Sequence, residues 1–310
     1  MGHSEWLPGL TEFFPPTPHA HQFVKILILT WIPISLLQWT PLKLLQMMGK
    51  TSGSTAFHLP GRFAWICAEA VAPFNMLYIM YALPSKLRPP PDAPSSILRT
   101  GLPIQYEILI LLYLIHYLNR AFITPILAPS VSPMGPWVAF LMAYFQYGNS
   151  TNVACWIVYS AVRTHDVSRV LMSPLAGLGL GLWLAGFYGN IACEHKLFEL
   201  RRGAAKRKAK SEGKAEVSYH KVYVVPPPEG GFKYVLHPHY AFEWLEWTGY
   251  WILGGAWGLG WGAESAALWF LVAEMFVMLP RARQGKQWYE ERFGKRAVAG
   301  RAAALPFPGL

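Results

Sequence analysis

His237-Pro238-His239-Tyr240-Ala241-Phe242-Glu243-Trp244-Leu245-Glu246-Trp247 sets two carboxyls and two imidazoles at the head of an apolar run. The run continues Thr248-Gly249-Tyr250-Trp251-Ile252-Leu253-Gly254-Gly255 and reads as a membrane-embedded helix. Ionisable groups at membrane depth are costly, so they mark a site rather than a surface. Glu243 and Glu246 are three apart, and His239 and Glu243 are four apart. On a helix all three fall near one face, which is expected to hold something polar.

The composition agrees with that reading. The 310 residues are 53% hydrophobic and only 14% charged, where a soluble domain carries nearer a quarter charged residues. The net charge of +10 does not point to nucleic acid. The basic residues cluster in two places beside apolar segments, as cytoplasmic loops do at an anionic leaflet, and no nucleic-acid motif accompanies them. Cys67, Cys155 and Cys193 are scattered and odd in number, so neither a disulfide framework nor a zinc site is expected.

Working outward, apolar segments predict seven spans, at roughly 23–45, 63–83, 102–127, 136–161, 171–197, 236–256 and 258–279. The fold class expected is an all-α integral membrane protein, seven transmembrane helices around one pocket. Residues 1–22 form a polar, Pro-rich lead without the features of a signal peptide. Residues 23–310 form a single domain. The longest link, about 201–233, opens RRGAAKRKAKSEGK and ends VVPPPEGG, so it cannot be one helix. Its strand-like piece Tyr223 to Phe232 carries glycines that let backbone approach a ligand. The tail from Arg281 is also basic, through Arg283, Lys286, Arg292, Lys295, Arg296 and Arg301. Placing link and tail in the cytosol puts the N-terminus in the lumen.

Polar residues inside these spans are the candidate site. Glu69 lies in Phe63-Ala64-Trp65-Ile66-Cys67-Ala68-Glu69, where a carboxyl is expected to be paired or neutral, and a neutral carboxyl can donate to a carbonyl oxygen. The third span carries Tyr113, His116, Tyr117 and Arg120, with Tyr113–Tyr117 and His116–Arg120 each four apart. Taken alone, Tyr117 suits an interfacial belt and Arg120 a snorkelling role. Asn190, Glu194 and Arg201 share a stripe at the end of the fifth span. An amide, a carboxylate and a guanidinium there suit ribose hydroxyls and phosphate, although an ordinary polar helix end reads the same way. Neither GxGxxG after a strand nor GxxxxGK[ST] is present, so a nucleotide site here is neither Rossmann nor P-loop.

The order of these islands carries a resemblance. Leu59-Pro60-Gly61-Arg62-Phe63-Ala64-Trp65 with Glu69 looks like L-P-x-R-x-A-W-x-x-x-E, and His116-Tyr117 with Arg120 and Phe122 looks like H-Y-x-x-R-x-F. Asn190, Glu194, Leu200 and Arg201 follow N-x-x-x-D…L-R. Gly230-Gly231-Phe232-Lys233-Tyr234-Val235 and Glu243-Trp244-Leu245-Glu246-Trp247-Thr248-Gly249-Tyr250 are similar to G-G-(L)-F-x-Y-V…E-x-x-E-W-x-G-Y. Trp288-Tyr289…Phe293 and Leu305-Pro306-Phe307 are similar to the closing W-Y-x-x-x-F and I-P-F. The chain therefore resembles the steroid 5-alpha-reductase family, the membrane 3-oxo-5-alpha-steroid 4-dehydrogenases, as a divergent, fungal-like member. The likeness runs in pieces from about Leu59 to the C-terminus.

That resemblance implies an NADPH-dependent oxidoreductase of the endoplasmic reticulum membrane, acting on a steroid or other lipid enone. It implies Glu69 and Tyr117 as the catalytic pair on the substrate carbonyl, with Trp65 against the substrate. It implies Arg120, Asn190, Glu194, Arg201, Tyr223, His239, Glu243, Arg281 and Tyr289 around NADPH, and neither metal nor nucleic acid. Hydride delivery to the β-carbon of an enone builds negative charge on the carbonyl oxygen, which a Tyr hydroxyl and a neutral carboxyl would stabilise. The chain departs from the family where His239 replaces the usual Asn and where the final His-x-x-x-Tyr reads Gly285…Tyr289. Two enzyme alternatives remain. A trans-2-enoyl-CoA or polyprenol reductase is one, since His237-Pro238-His239-Tyr240 is similar to S-P-H-Y of the polyprenol group. An isoprenylcysteine or phospholipid-type membrane methyltransferase is the other, loosely matched by His237-Pro238-His239-Tyr240 and Glu291…Gly294, with Glu69 and Tyr117 arguing against it. A non-catalytic sterol binder is a third class.

Overall fold

A computed structural model describes residues 7–37, 57–87, 98, 100–163, 171–298 and 300–306. Regular structure among them is helical, and β pairing is confined to isolated bridges such as Leu59 with Met134 and Val235 with Ala302. The helices are α1 (Pro18–Leu29), α2 (Trp31–Leu36), α3 (Gly61–Leu87), α4 (Ile104–Tyr117), α5 (Thr124–Leu127), α6 (Pro136–Arg163), α7 (Pro174–Ser211), α8 (Pro238–Ala256) and α9 (Ala266–Phe293). A π-helical stretch, Leu118–Ile123, joins α4 to α5, so Ile104–Leu127 is one continuous rod. Among the described residues three rods are long and apolar enough to cross a bilayer: α3, Ile104–Leu127 and α7. Large apolar side chains point outward from them, among them Phe63, Phe74, Tyr81, Leu178 and Tyr188, as on a surface facing lipid.

The other candidates for spanning are long but more polar. At ~1.5 Å per residue, α6 and α9, with 28 residues each, reach about 42 Å. In α6 the run Gln146, Asn149, Ser150, Thr151 and Asn152 is buried, and α9 buries Glu274. The first expected span begins early. Thr17 caps α1, its hydroxyl accepting from the Ala20 amide at 3.2 Å, so the helix starts inside the expected lead. The lead is packed too: His21 pairs with Asn152 Oδ1 at 3.0 Å, and the Tyr159 hydroxyl donates to Pro16 O at 2.7 Å. Residues 38–45 of that span, the links around Arg88, Arg99 and Arg169, and Phe307 lie outside the described residues.

Two further spans differ from expectation, each for a local reason. The fifth span, expected to end at 197, continues to Ser211, because Gly203 aside, RRGAAKRKAK is rich in good helix formers. It stops in a Schellman turn. Lys214 N bonds to Ala209 O at 2.9 Å, Gly213 N to Lys210 O at 3.3 Å, and Gly213 takes φ +64°. The last span, expected at 258–279, is displaced to Ala266–Phe293, since a Gly-rich loop precedes Ser265, whose hydroxyl caps α9 through Leu268 N. Beyond α7, the segment Tyr223 to Phe232 holds no strand: it bends at Pro228 and ends in a 3-10 turn at Gly230–Phe232, so the strand-like reading fails; prolines 226–228 offer no donors for a ladder. The tail is not simply a basic extension either. Arg301 is buried and bonds the carbonyls of Pro226 (2.8 Å), Phe232 (3.1 Å), Ala297 (3.3 Å) and Val298 (3.0 Å).

Helices in lipid gain little from apolar burial against each other, so close packing decides which ones pair. The tightest pair is α7 with α8. A Cβ on Gly186 would lie 2.3 Å from Glu246 N, and one on Gly249 would lie 2.4 Å from Trp183 N. These two glycines let the backbones touch. That contact draws the Glu243–Glu246 face of α8 inward, onto a core of Tyr113, Tyr117, Trp183, Trp247, Tyr250 and Phe270.

Candidate active site

A cavity of about 400 Å³ opens between α3, the π-helical stretch, α6, α7, α8 and α9. Its inner part is walled by Trp65, Glu69, Arg120, Gln146, Glu194 and Glu274, and its outer part by Arg201, Tyr223, His237, His239, Arg281 and Tyr289. Nine of the twelve residues expected from sequence therefore face one space. The other three, Tyr117, Asn190 and Glu243, stand behind the wall and act on it through neighbours.

Tyr117 reaches the wall through a residue that sequence reasoning missed. Its hydroxyl donates to Gln146 Oε1 at 2.6 Å, and Gln146 Nε2 donates to Glu69 Oε2 at 2.6 Å. All three are buried. Helix α6 thus inserts a carboxamide between the two expected catalytic groups. Gln146 heads the polar run of the fourth span, a signal the sequence contained. Glu274 is the second omission. It is 9% exposed, and its Oε2 has no hydrogen-bond partner among the described residues. As an acid in an apolar span it is visible by the same rule that singled out Glu69.

Arg120 sits in the π-helical stretch, a local irregularity common at functional sites. Its guanidinium lies 3.6 Å from Glu69 Oε1, 3.9 Å from Glu194 Oε1 and 3.9 Å from Glu243 Oε2. It also lies over the Trp65 ring at 5.2 Å, while Trp65 Nε1 donates to Arg120 O at 3.3 Å. Snorkelling to the surface is therefore not what Arg120 does: it is turned inward by three carboxyls. The Thr124 hydroxyl donates to Glu194 Oε2 at 3.0 Å. Asn190 Nδ2 donates to His239 O at 3.0 Å and to Glu243 Oε2 at 3.1 Å, which fixes α7 against the start of α8. His116 Nδ1 pairs with Glu246 Oε1 at 2.8 Å, and Nε2 lies 3.8 Å from Glu243 Oε1. The three-residue face read from the sequence is thus divided. His239 faces the cavity, Glu243 joins the Arg120 cluster, and Glu246 closes on His116.

The outer part is held by Arg201 and the closing motif. Arg201 donates to Val222 O (3.1 Å), Ser130 O (3.3 Å) and Ser130 Oγ (2.6 Å) and lies over the Tyr223 ring at 5.5 Å. Those bonds use three of its five N–H groups and leave two for a ligand. Tyr223 meets Trp288 edge to face at 4.9 Å, and Trp288 meets Tyr289 at 5.5 Å. Arg62 of the L-P-x-R segment stays outside the cavity and ties α3 to the end of α5, through Pro125 O at 2.8 Å and Ala128 O at 2.7 Å. Two guanidiniums at the outer end, with imidazoles and phenols beside them, form a polar set that fits a phosphorylated, ribose-bearing cofactor such as NADPH. Among the described residues no cluster of three His, Cys, Asp or Glu is arranged to hold a metal ion.

Known proteins resemble the chain over most of its length. A family model described as 3-oxo-5-alpha-steroid 4-dehydrogenase matches residues 133–308. An uncharacterized protein of Schizosaccharomyces pombe is 33% identical over 81% of this chain and 85% of its own. The 3-oxo-5-alpha-steroid 4-dehydrogenase 1 of Bos taurus is 31% identical over 78% and 79%. The steroid 5-alpha-reductase DET2 of Solanum lycopersicum is 28% identical over 63% and 66%.

Proposed function

We propose, for a chain that belongs to the 3-oxo-5-alpha-steroid 4-dehydrogenase family of oxidoreductases, that it reduces the C=C bond of a conjugated enone in a steroid-like lipid. The reaction converts a 3-oxo-4-ene to a 3-oxo-5-alpha product. The protein would cross the endoplasmic reticulum membrane seven times, with its N-terminus lumenal and its C-terminus cytosolic. The observation that carries the reading is the buried Tyr117–Gln146–Glu69 chain at the inner end of the cavity.

NADPH, when bound, would supply the hydride. The chain's own residues do the rest. Glu69 and Gln146 face the inner space and present polar groups to a carbonyl oxygen, with Tyr117 polarising the carboxamide from behind. Negative charge that builds on that oxygen is stabilised by these fixed dipoles. Arg120 holds Glu69, Glu194 and Glu243 in one cluster and so sets where charge and protons reside beside the reacting bond. Trp65, stacked on Arg120, gives the substrate an apolar face. Arg201, Tyr223, Arg281 and Tyr289 hold the cofactor's polar end, while His239 and Asn190 set the wall between them.

The test incubates membranes containing the protein with NADPH and a 4-ene-3-one steroid, followed by mass spectrometry. The expected product is heavier by one hydride and one proton, and Glu69→Gln abolishes it while lipid binding is retained. No product across a panel of steroid enones overturns the steroid reading. Methyl transfer from labelled S-adenosylmethionine overturns the reductase reading altogether.

A further inference from the structure

Helix α9 shows the cavity a stripe of Glu274, Met278, Arg281, Gly285 and Tyr289, spaced three or four apart. Gly285 is the gap in that stripe, and the gap is filled from another helix. A Cβ built on Gly285 would lie 2.6 Å from His237 Nε2 and 2.7 Å from His237 Cε1. The His237 ring therefore occupies the volume that a side chain at position 285 would need. It does so in the family position where a histidine is expected and glycine is found.

The ring is held firmly in that place. His237 is the N-cap residue of α8 and is 7% exposed. Its backbone N–H donates to Ala303 O at 2.9 Å, and its Nδ1 lies 3.1 Å from the same oxygen. A carbonyl only accepts, so the Nδ1 position carries the proton and Nε2 is the acceptor nitrogen. The ring also stacks on Tyr240 at 5.7 Å and 14° and lies 6.2 Å from Tyr289. The returning tail, fastened by Arg301, sets the position of Ala303 and so the direction of Nε2.

We infer that His237 is a cofactor-binding residue of this site: an imidazole carried by α8 into the place of residue 285 on α9, where it lines the cavity. His237 and Gly285 then form one exchangeable unit, in which the imidazole can come from either helix but not from both. The inference rests on NADPH as the cofactor.

The experiment measures NADPH binding to the purified full-length protein in detergent, by cofactor fluorescence and by thermal shift, with no turnover needed. His237→Ala weakens NADPH binding about three- to tenfold, the worth of one buried hydrogen bond, while steroid binding is unchanged. Adding Gly285→His to His237→Ala restores binding to within about twofold of wild type, and adding Gly285→Ala does not. Gly285→His alone lowers the melting temperature, because two rings compete for one volume. Should His237→Ala fail to fold, His237→Phe keeps the ring and removes its nitrogens, and is read in the same assay. Wild-type binding by His237→Ala and His237→Phe, or a double variant no better than His237→Ala, overturns the inference alone. No NADPH binding by the wild-type protein overturns the cofactor reading and the inference together.

Discussion

Gln146→Leu is the substitution on which the inner site turns. Gln146 receives the Tyr117 hydroxyl at 2.6 Å and donates to Glu69 at 2.6 Å, and all three side chains are buried. Leucine at 146 orphans a phenol O–H and a carboxyl oxygen, each costing about 1–3 kcal/mol, so the fold should lose about 2–6 kcal/mol. Tyr117→Phe orphans only the Gln146 carbonyl and should cost about 1–3 kcal/mol. In the double variant the phenol and the carboxamide are both gone, and only the Glu69 oxygen is left without its partner. The double variant should then lose about 1–3 kcal/mol, less than the sum of the singles by ~2 kcal/mol or more. Equilibrium unfolding in mixed micelles, followed by tryptophan fluorescence, measures the cycle. The same variants in the reductase assay should each lower kcat, with the double no worse than the weaker single. Additive losses in both assays would mean that Tyr117 and Glu69 act independently, and the chain through Gln146 would be refuted.

Three further predictions concern the frame around that chain. Glu274→Met removes a buried carboxyl oxygen that has no partner among the described residues and should stabilise the ligand-free protein by about 1–3 kcal/mol; a lower melting temperature would show that Glu274 is satisfied in the folded protein. Gly186→Val sets a branched side chain where even a Cβ lies 2.3 Å from Glu246 N, so α7 and α8 should separate, at a cost of about 3 kcal/mol or more; size-exclusion and thermal profiles matching wild type would count against that contact. Arg301→Ala removes bonds to four carbonyls and should cost about 2–5 kcal/mol. Limited proteolysis should then cut the chain after Gly294, and an unchanged digest would mean that the tail is held by other contacts.

The spans were legible wherever hydropathy and punctuation agree. Gly61–Leu87, Ile104–Leu127 and Pro174 onward all begin within a few residues of where apolar runs begin. Legibility failed where local chemistry overrode hydropathy. Residues 201–211 are too charged to read as part of a span, yet their helix propensity carries α7 on to Ser211. Trp257 to Glu264 are aromatic enough to read as a span, yet Gly258 and Gly260 take φ near +90° there and hold the chain in a loop until Ser265. The site shows the same division. Glu69, Glu194 and Glu243, which stand out by charge in an apolar run, lie in or against the cavity wall, while Arg120, which charge alone reads as snorkelling, is turned inward beside them. Gln146, uncharged and set among other polar residues, does not stand out, and neither does His237, whose place depends on the absence of a side chain on another helix.

Among the described residues three rods are long and apolar enough to cross a bilayer, and the composition of the other long helices explains why they fall short. Helix α8 carries His239, Glu243 and Glu246, α9 carries Glu274 and Arg281, and α6 carries the run from Gln146 to Asn152, with most of these side chains buried or turned to the cavity. A helix whose inner face supplies a polar pocket loses mean hydropathy although its outer face is apolar. Phe140 on α6 is 57% exposed for that reason, one turn and a half before the buried Gln146. The residues that lower the hydropathy of these helices are therefore the ones that build the site. A polar interior fits a helical bundle in lipid where its polar groups find partners inside the bundle, as Glu246 Oε1 does in His116 and Gln146 does in Tyr117 and Glu69.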